Sequence, residues 1–128
     1  MDKDVSEGKG TLSPDALREK ALKASVRFLE RRGLSVIDRN WECADGEVDL
    51  VAVDDDGLRF VFVVVSQGAG GFESAVPDRG RAEALACAWL AAHADMEPMP
   101  VTFDELALHV VGPDRAFLSH HVNCLKTL

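Results

Sequence analysis

The segment GEVDLVAVDDDGLRFVFVVVSQ, residues 46–67, constrains the fold more than any other part of this chain. Its first half has the pattern of a strand, Asp54-Asp55-Asp56-Gly57 is a turn sequence, and its second half is a run of β-branched and aromatic residues. We therefore expect strands at about 47–54 and 58–66, paired as a hairpin. The second should be central in a sheet, because a continuously apolar strand is covered on both faces.

Two segments have helical patterns. In SPDALREKALKASVRFLERRG, Ser13 suits an N-cap, Pro14 suits the first turn and Gly33 suits the end, which predicts a helix over 14–32. A second helix is predicted over 78–94, in DRGRAEALACAWLAAHA. The predicted buried stripe of the first helix is Leu17, Ala21, Ala24 and Phe28, with Leu29 beside it. The predicted packing face of the second combines the small residues Ala84, Ala88 and Ala91 with the bulkier Leu85, Trp89 and Leu90.

Three further strands complete the pattern, one at about 34–40 and two in PVTFDELALHVV and AFLSHHVNCL. The order helix, three strands, helix, two strands predicts a single α/β sandwich with a mixed β-sheet flanked by helices. We expect residues 1–12 to form a flexible N-terminal tail and residues 13–128 to form the domain.

Charge and cysteine content narrow the classes of function. The chain has 128 residues, and 14 basic against 22 acidic side chains leave a net charge of −8, which disfavours binding of nucleic acid through its phosphates. No apolar run is long enough to span a membrane and the first residues are polar, so we expect a cytoplasmic protein without membrane contact. Cys43, Cys87 and Cys124 have no metal-ligand spacing and are expected to be small buried residues.

One stretch resembles a known family. The matching residues are Gly33, Arg39, Asn40, Trp41, Gly46, Glu47, Asp49 and Leu50. Together with FVFVVV, FESAV and VTFDELAL they resemble the YraN-like family of small uncharacterised bacterial proteins, over roughly residues 17–125. The resemblance implies a restriction-endonuclease-like fold of the PD-(D/E)xK type, in which two strands present carboxylates and a lysine to Mg²⁺ beside a scissile phosphate.

This chain departs from the family pattern at the residues that would perform the chemistry. Where the family has an acid and a lysine two residues apart on one strand, this chain has Val64 and Ser66. The family acid of the first helix falls on Leu22, and a family lysine before the second helix falls near Gly80. The remaining site is therefore vestigial, and its positions are Glu47, Asp49, Val64 and Ser66.

We therefore expect a pseudo-nuclease that needs no metal or other cofactor and binds nucleic acid or protein without cleaving it. The alternative is a Mg²⁺-dependent endonuclease rebuilt around Glu47 and Asp49, with Glu19 or Glu73 as a further ligand. Without a metal, a buried Asp49 is expected to bind the backbone or an arginine.

Several other residues are candidates with a structural alternative. Candidate nucleic-acid contacts are Arg31, Arg32, Arg39, Trp41, Arg79 and Arg81, which otherwise form solvated faces or, for Trp41 and for Phe72 in the glycine-rich loop, packing contacts. His109 with His120 or His121 could form a two-histidine site, although satisfied or exposed histidines are the more common case. The partner and the oligomeric state stay open.

Overall fold

A computed structural model describes residues 13–67, 76–112 and 115–125 of the protein, with the side chain of Gln67 left out. The predicted tail and Phe72 and Glu73 lie outside the described residues. The elements are α1 (Pro14–Arg31), β1 (Ser35–Cys43), β2 (Gly46–Asp54), β3 (Gly57–Gln67), α2 (Arg79–Ala92), β4 (Val101–Gly112) and β5 (Arg115–His121). Their order is the predicted one.

The five strands form one mixed sheet in the order β1-β2-β3-β4-β5. Neighbouring strands are antiparallel except β3 and β4, which are parallel and are joined by the crossover that contains α2. A parallel pair needs such a crossover, because the chain must return to the same end of the sheet. The predicted α/β class, the hairpin of β2 and β3 and the central place of β3 are confirmed.

The turn between β2 and β3 is held by its first aspartate. Asp54 Oδ1 accepts hydrogen bonds from the backbone N–H groups of Asp56, at 2.8 Å, and Gly57, at 3.2 Å. Gly57 has a φ of 140°, and a Cβ atom there would collide with the carbonyl group of Pro100. The next residue, Leu58, donates its N–H to that carbonyl at 2.8 Å, so the turn also positions the start of β4.

Helix α1 begins as predicted, and its predicted face is buried in part. Ser13 Oγ accepts from the N–H of Ala16 at 3.2 Å, which satisfies one donor of the first turn. The buried residues are Ala21, Ser25, Val26 and Leu29, whereas Leu17, Ala24 and Phe28 of the predicted stripe are only half-buried. The prediction was wrong for these three because α1 packs mainly on β1 and β3, which places the stripe at the flank of the contact.

Helix α2 packs on the sheet through part of its predicted face, because Leu85 and Trp89 are buried and the alanine row is not. Asp78 caps it by accepting from the N–H of Arg81 at 2.9 Å. Its buried residues are Ala82, Leu85, Ala86 and Trp89, while Ala84 and Ala88 are half-buried and Ala91 is exposed. The larger Leu85 and Trp89 set the contact because they bury more apolar area than a row of alanines.

The cysteine prediction was wrong for two of three residues. Cys87 is exposed on the solvent side of α2, and Cys124 is exposed after β5, while Cys43 is half-buried. The apolar neighbours of Cys87 in sequence belong to a helix of which only one face meets the sheet.

No helix among the described residues is long and apolar enough to cross a membrane.

The sheet separates two apolar clusters. The α1-side core contains Val26, Leu29, Leu50, Val61, Val63, Leu106 and Leu108, and the α2-side core contains Val48, Val51, Phe60, Phe62, Leu85, Trp89 and Phe103. β3 contributes to both, which explains its unbroken apolar sequence.

Candidate functional site at Asp49

Asp49, which the sequence predicts as a vestigial site residue together with Glu47, is 6% exposed. One carboxylate oxygen, Oδ2, accepts a hydrogen bond from the backbone N–H of Val63 at 2.6 Å. The other, Oδ1, forms an ion pair with the guanidinium group of Arg18 in α1. Both oxygens of the carboxylate are therefore engaged by groups of the protein itself.

Arg18 ties three elements together. One nitrogen of its guanidinium group pairs with Asp49 in β2, and another donates to the carbonyl oxygen of Val63 in β3 at 3.0 Å. Asp49 and Arg18 thus bind the N–H and C=O of the same residue. The planar guanidinium suits such a double contact, because its donors are held in a fixed geometry.

The neighbours of Asp49 in β2 pack on opposite faces of the sheet. Val48 belongs to the α2-side core and Leu50 to the α1-side core, although residues two apart on a regular strand share a face. The backbone pairing of β2 with β3 extends from Asp54–Gly57 to Leu50–Val61. Beyond that point the carboxylate of Asp49 takes the role of a backbone acceptor for β3.

Burial raises the pKa of the Asp49 carboxyl above its usual value, and the charge of Glu47 acts in the same direction. The hydrogen bond from Val63 and the charge of Arg18 lower the pKa but do not offset the loss of hydration. Burial therefore favours the neutral form of the Asp49 carboxyl group.

Val64 and Ser66 follow on β3, where the family pattern has its acid and lysine. Val63 and Val65 pack with the α1-side core, so Val64 and Ser66 project from the other face of the strand. Both are half-buried, and the Oγ atom of Ser66 lies 2.7 Å from Nδ1 of His109 on β4. A hydroxyl in contact with an imidazole therefore occupies this position of β3.

The residues present do not fit a divalent metal. Mg²⁺ requires several oxygen ligands in near-octahedral geometry. Asp49 offers one carboxylate, which is already bound to a cation and to an N–H group, and Glu47 is exposed. In residues 13–66, 76–112 and 115–125 no group of three or more His, Cys, Asp or Glu side chains is arranged to hold a metal ion. Glu19 is exposed on α1.

The candidate nucleic-acid contacts do not form one patch. Arg31 and Arg32 lie at the end of α1, where Arg32 sits 5.1 Å from the centre of the Phe28 ring. Arg79 and Arg81 lie at the start of α2, where Arg79 pairs with Glu83 and donates to the carbonyl of Leu125, and Arg81 donates to the carbonyl of Asp45.

On β1, Arg39 lies opposite Leu50 of the α1-side core, and Trp41 lies opposite Val48 and packs with the α2-side core. The structure therefore divides the two residues between the faces of the sheet.

The three histidines of β4 and β5 do not converge on one point. His120 Nε2 bonds Asp104 at 3.0 Å, and His121 Nδ1 bonds Glu105 at 3.2 Å. His109 lies opposite Phe117 and contacts Ser66. His109 and Glu105, the partner of His121, are four residues apart on β4, which corresponds to roughly 13 Å along a strand.

The sequence did not reveal the polar cluster around Asp104, which is completely buried. Its carboxylate accepts from Arg59 at 3.3 Å, from His120 at 3.0 Å and from the N–H of Asn123 at 2.8 Å. The sequence also did not identify Arg18 as the partner of Asp49. A charged residue at a core position of an apolar strand, as Asp104 and Arg59 both are, is the signal that could have indicated the cluster.

Comparison with known proteins identifies the family. The sequence matches Uncharacterised protein family UPF0102 over residues 23–107. The chain belongs to UPF0102. It is 36% identical over 111 residues to a UPF0102 protein of Kineococcus radiotolerans, an alignment that covers 83% of this chain and 90% of the relative. A UPF0102 protein of Beutenbergia cavernae is 40% identical over 98 residues, covering 73% of this chain and 82% of that protein. The YraN-like resemblance is thereby confirmed for this UPF0102 chain.

Proposed function

We propose that this UPF0102 protein is a non-catalytic binding module on a nuclease-like α/β fold. The observation that carries the proposal is the double engagement of Asp49 by Arg18 and the Val63 N–H. A guanidinium group neutralises the carboxylate that a metal would otherwise bind, so the site is complete without a cofactor.

Two features support the same conclusion. Val64 and Ser66 offer neither a second carboxylate nor a lysine beside Asp49. The pKa of Asp49 is raised by burial, and an apolar surrounding disfavours a divalent ion unless several ligands compensate its loss of hydration. We therefore infer that a protein with such a site binds its partner without cleaving it.

Calorimetry with Mg²⁺ and with Mn²⁺ tests the metal part of the proposal. We expect no saturable heat for the wild-type protein, and cleavage assays on single-stranded, duplex and branched DNA and on RNA should stay at background. The matched variant is Asp49→Ala, which removes the carboxylate. Metal binding or cleavage that is present in the wild type and absent in Asp49→Ala would overturn the proposal in favour of an endonuclease rebuilt around Glu47 and Asp49.

A further inference from the structure

A groove lies between α1 and the β4–β5 hairpin, on the face of the sheet that α1 covers in part. Its volume is about 430 Å³, which is within the range of ligand pockets in proteins. Leu17, Ala21, Ala24, Leu108, Val110 and Leu118 form its apolar lining. Asp49 does not line this groove, so a ligand of the groove does not depend on the site at Asp49.

The strip of sheet beside α1 has the width of one helix. Strands in a sheet are about 4.8 Å apart, so β4 and β5 together present a strip about 10 Å wide, and a helix with its side chains is about 10 Å in diameter. Helix α1 packs mainly on β1 and β3, and the described part of the chain provides no second helix over this strip. One more helix beside α1 would complete the layer.

The helix stripe that the sequence predicts to be buried borders this groove. Leu17 and Ala24 line it and are half-buried, and Phe28 is half-buried one turn beyond Ala24. Phe28 makes an edge-to-face ring contact with His120 at 5.9 Å. Contiguous apolar surface with a polar rim is typical of a surface that a partner covers.

The rim of the groove is cationic on both sides. Lys20, Lys23 and Arg27 lie along α1, and Arg115 lies at the start of β5 on the opposite wall. No acidic side chain is among the described residues that line the groove, although the whole chain carries a net charge of −8. A partner with negative charge on both flanks is therefore favoured electrostatically.

We propose that this groove binds an acidic amphipathic helix of a protein partner. An apolar stripe at positions i, i+3, i+4 and i+7 would face Ala21, Ala24 and Leu118, and flanking Asp or Glu side chains would pair with Lys23, Arg27 and Arg115. The small side chains of Ala21 and Ala24 allow such a helix to approach α1 closely.

Other occupants match the groove less well. Single-stranded nucleic acid is bound by stacking on aromatic side chains, and the described lining contains none. A second copy of this chain offers two helices among its described residues. α1 carries the cations itself, and the charged residues of α2 are Arg79, Arg81 and Glu83, so neither is an acidic helix.

The test is selection from a phage-displayed library of 14-residue helical peptides on the wild-type protein. We expect enriched peptides to carry an apolar stripe flanked by Asp or Glu. Their synthetic forms, followed by fluorescence polarisation, should bind more weakly as salt increases. Lys23→Glu with Arg27→Glu should weaken binding by about tenfold or more, because attraction becomes repulsion at two rim positions.

The matched control is Arg31→Glu with Arg39→Glu, which changes the net charge equally at exposed positions outside the groove. It should leave affinity within about threefold of the wild type. Ala24→Gln, which extends a polar side chain into the groove without changing charge, should weaken binding as well. Thermal melting of each variant establishes that it is folded.

Three results would overturn the proposal: no enrichment, enriched peptides without an acidic flank, or equal loss in the groove and control variants. Labelled DNA and RNA oligonucleotides are measured in parallel, and affinity that depends on Lys23 and Arg27 for them alone would assign the groove to nucleic acid. Self-association of the protein that is abolished by the same two reversals would assign it to a second copy. The metal and cleavage assays are unaffected by any of these outcomes.

Discussion

At the scale of single residues, the pairing of Asp49 with Arg18 is the contact on which the proposed function of this UPF0102 protein rests. The two residues are 31 positions apart, and both bind the backbone of Val63. A buried carboxylate needs such partners because an unpaired charge in an apolar surrounding is costly.

Asp49→Ala should lower the free energy of unfolding by about 1–3 kcal/mol, because the N–H of Val63 loses its acceptor inside the protein. Asp49→Asn keeps an oxygen for Val63 and should lose less, since Arg18 is 38% exposed and can be rehydrated. Urea denaturation at neutral pH measures both. Equal losses in the two variants would show that the charge pair with Arg18, and not the hydrogen bond from Val63, accounts for the stability that Asp49 contributes.

The raised pKa of Asp49 predicts a direction of pH dependence. A carboxyl group whose pKa is higher in the folded chain than its usual 3.8 destabilises the fold when ionised. That penalty is full above the folded pKa and disappears as the pH falls through it toward 3.8. The wild type should therefore gain stability relative to Asp49→Asn on acidification from neutral pH, as measured by urea denaturation at several pH values. A relative loss would mean that Arg18 and Val63 outweigh burial.

The sequence predicted that Asp49 would bind either the backbone or an arginine, but it could not indicate which arginine. Choosing Arg18 requires the position of α1 across β3, and that position depends on packing between elements distant in the chain. The same limit applies to Asp104, whose partners Arg59, His120 and Asn123 come from other segments. Local sequence patterns carry no information about such pairings.

At the scale of elements, the strands were predicted well because alternation and turn residues are local signals. The helix faces were predicted in part. In α1, Ala21 and Leu29 are buried as predicted, and Val26 is buried beside them. The rest of the predicted row is half-buried, because the position of the sheet decides how much of a helix is covered. The mismatch in α1 is informative, because it marks the surface proposed to bind a partner helix.

The turn before β3 provides a test of how tightly the elements are joined. Gly57 has a positive φ and faces the carbonyl of Pro100, whereas Gly33 has a φ of 90° with no atom within 4 Å of an added Cβ. Both Gly→Ala changes strain the backbone, but only Gly57→Ala also displaces the start of β4. Gly57→Ala should therefore cost about 1–3 kcal/mol more than Gly33→Ala in urea denaturation. Equal costs would show that the segment before β4 moves aside freely.

At the scale of the whole molecule, the net charge of −8 disfavours binding of nucleic acid through its phosphates. A protein that grips nucleic acid through phosphates usually presents a continuous basic face. Here Arg31 and Arg32 lie at the end of α1, while Arg79 and Arg81 at the start of α2 bind carbonyl groups of the protein. The groove beside α1 concentrates positive charge around an apolar floor instead, which favours a protein partner over a nucleic acid.

Restoring the family pattern tests whether the architecture still supports the chemistry. Val64→Glu with Ser66→Lys places an acid and a lysine on one face of β3. The carboxylate of Asp49 accepts a hydrogen bond from the backbone N–H of Val63 in β3. The two introduced side chains belong to the residues one and three positions after Val63 on the same strand. Arg18→Ala is added in a third change, because the guanidinium group would compete with a metal for the carboxylate.

We expect the triple variant to bind Mn²⁺ in calorimetry and to cleave DNA in a metal-dependent way, whereas the variant with Arg18 retained should do so more weakly. Two ionisable groups in a half-buried site cost several kcal/mol without a metal, so circular dichroism and thermal melting must first show a folded protein. Asp49→Asn in the same background is the control, and it should abolish both binding and cleavage. A folded triple variant that binds no metal would contradict the interpretation of this site as a degenerate nuclease centre. Because Asp49 would then keep only its contact with Val63, its role would be to hold β2 against β3 where their backbone pairing ends.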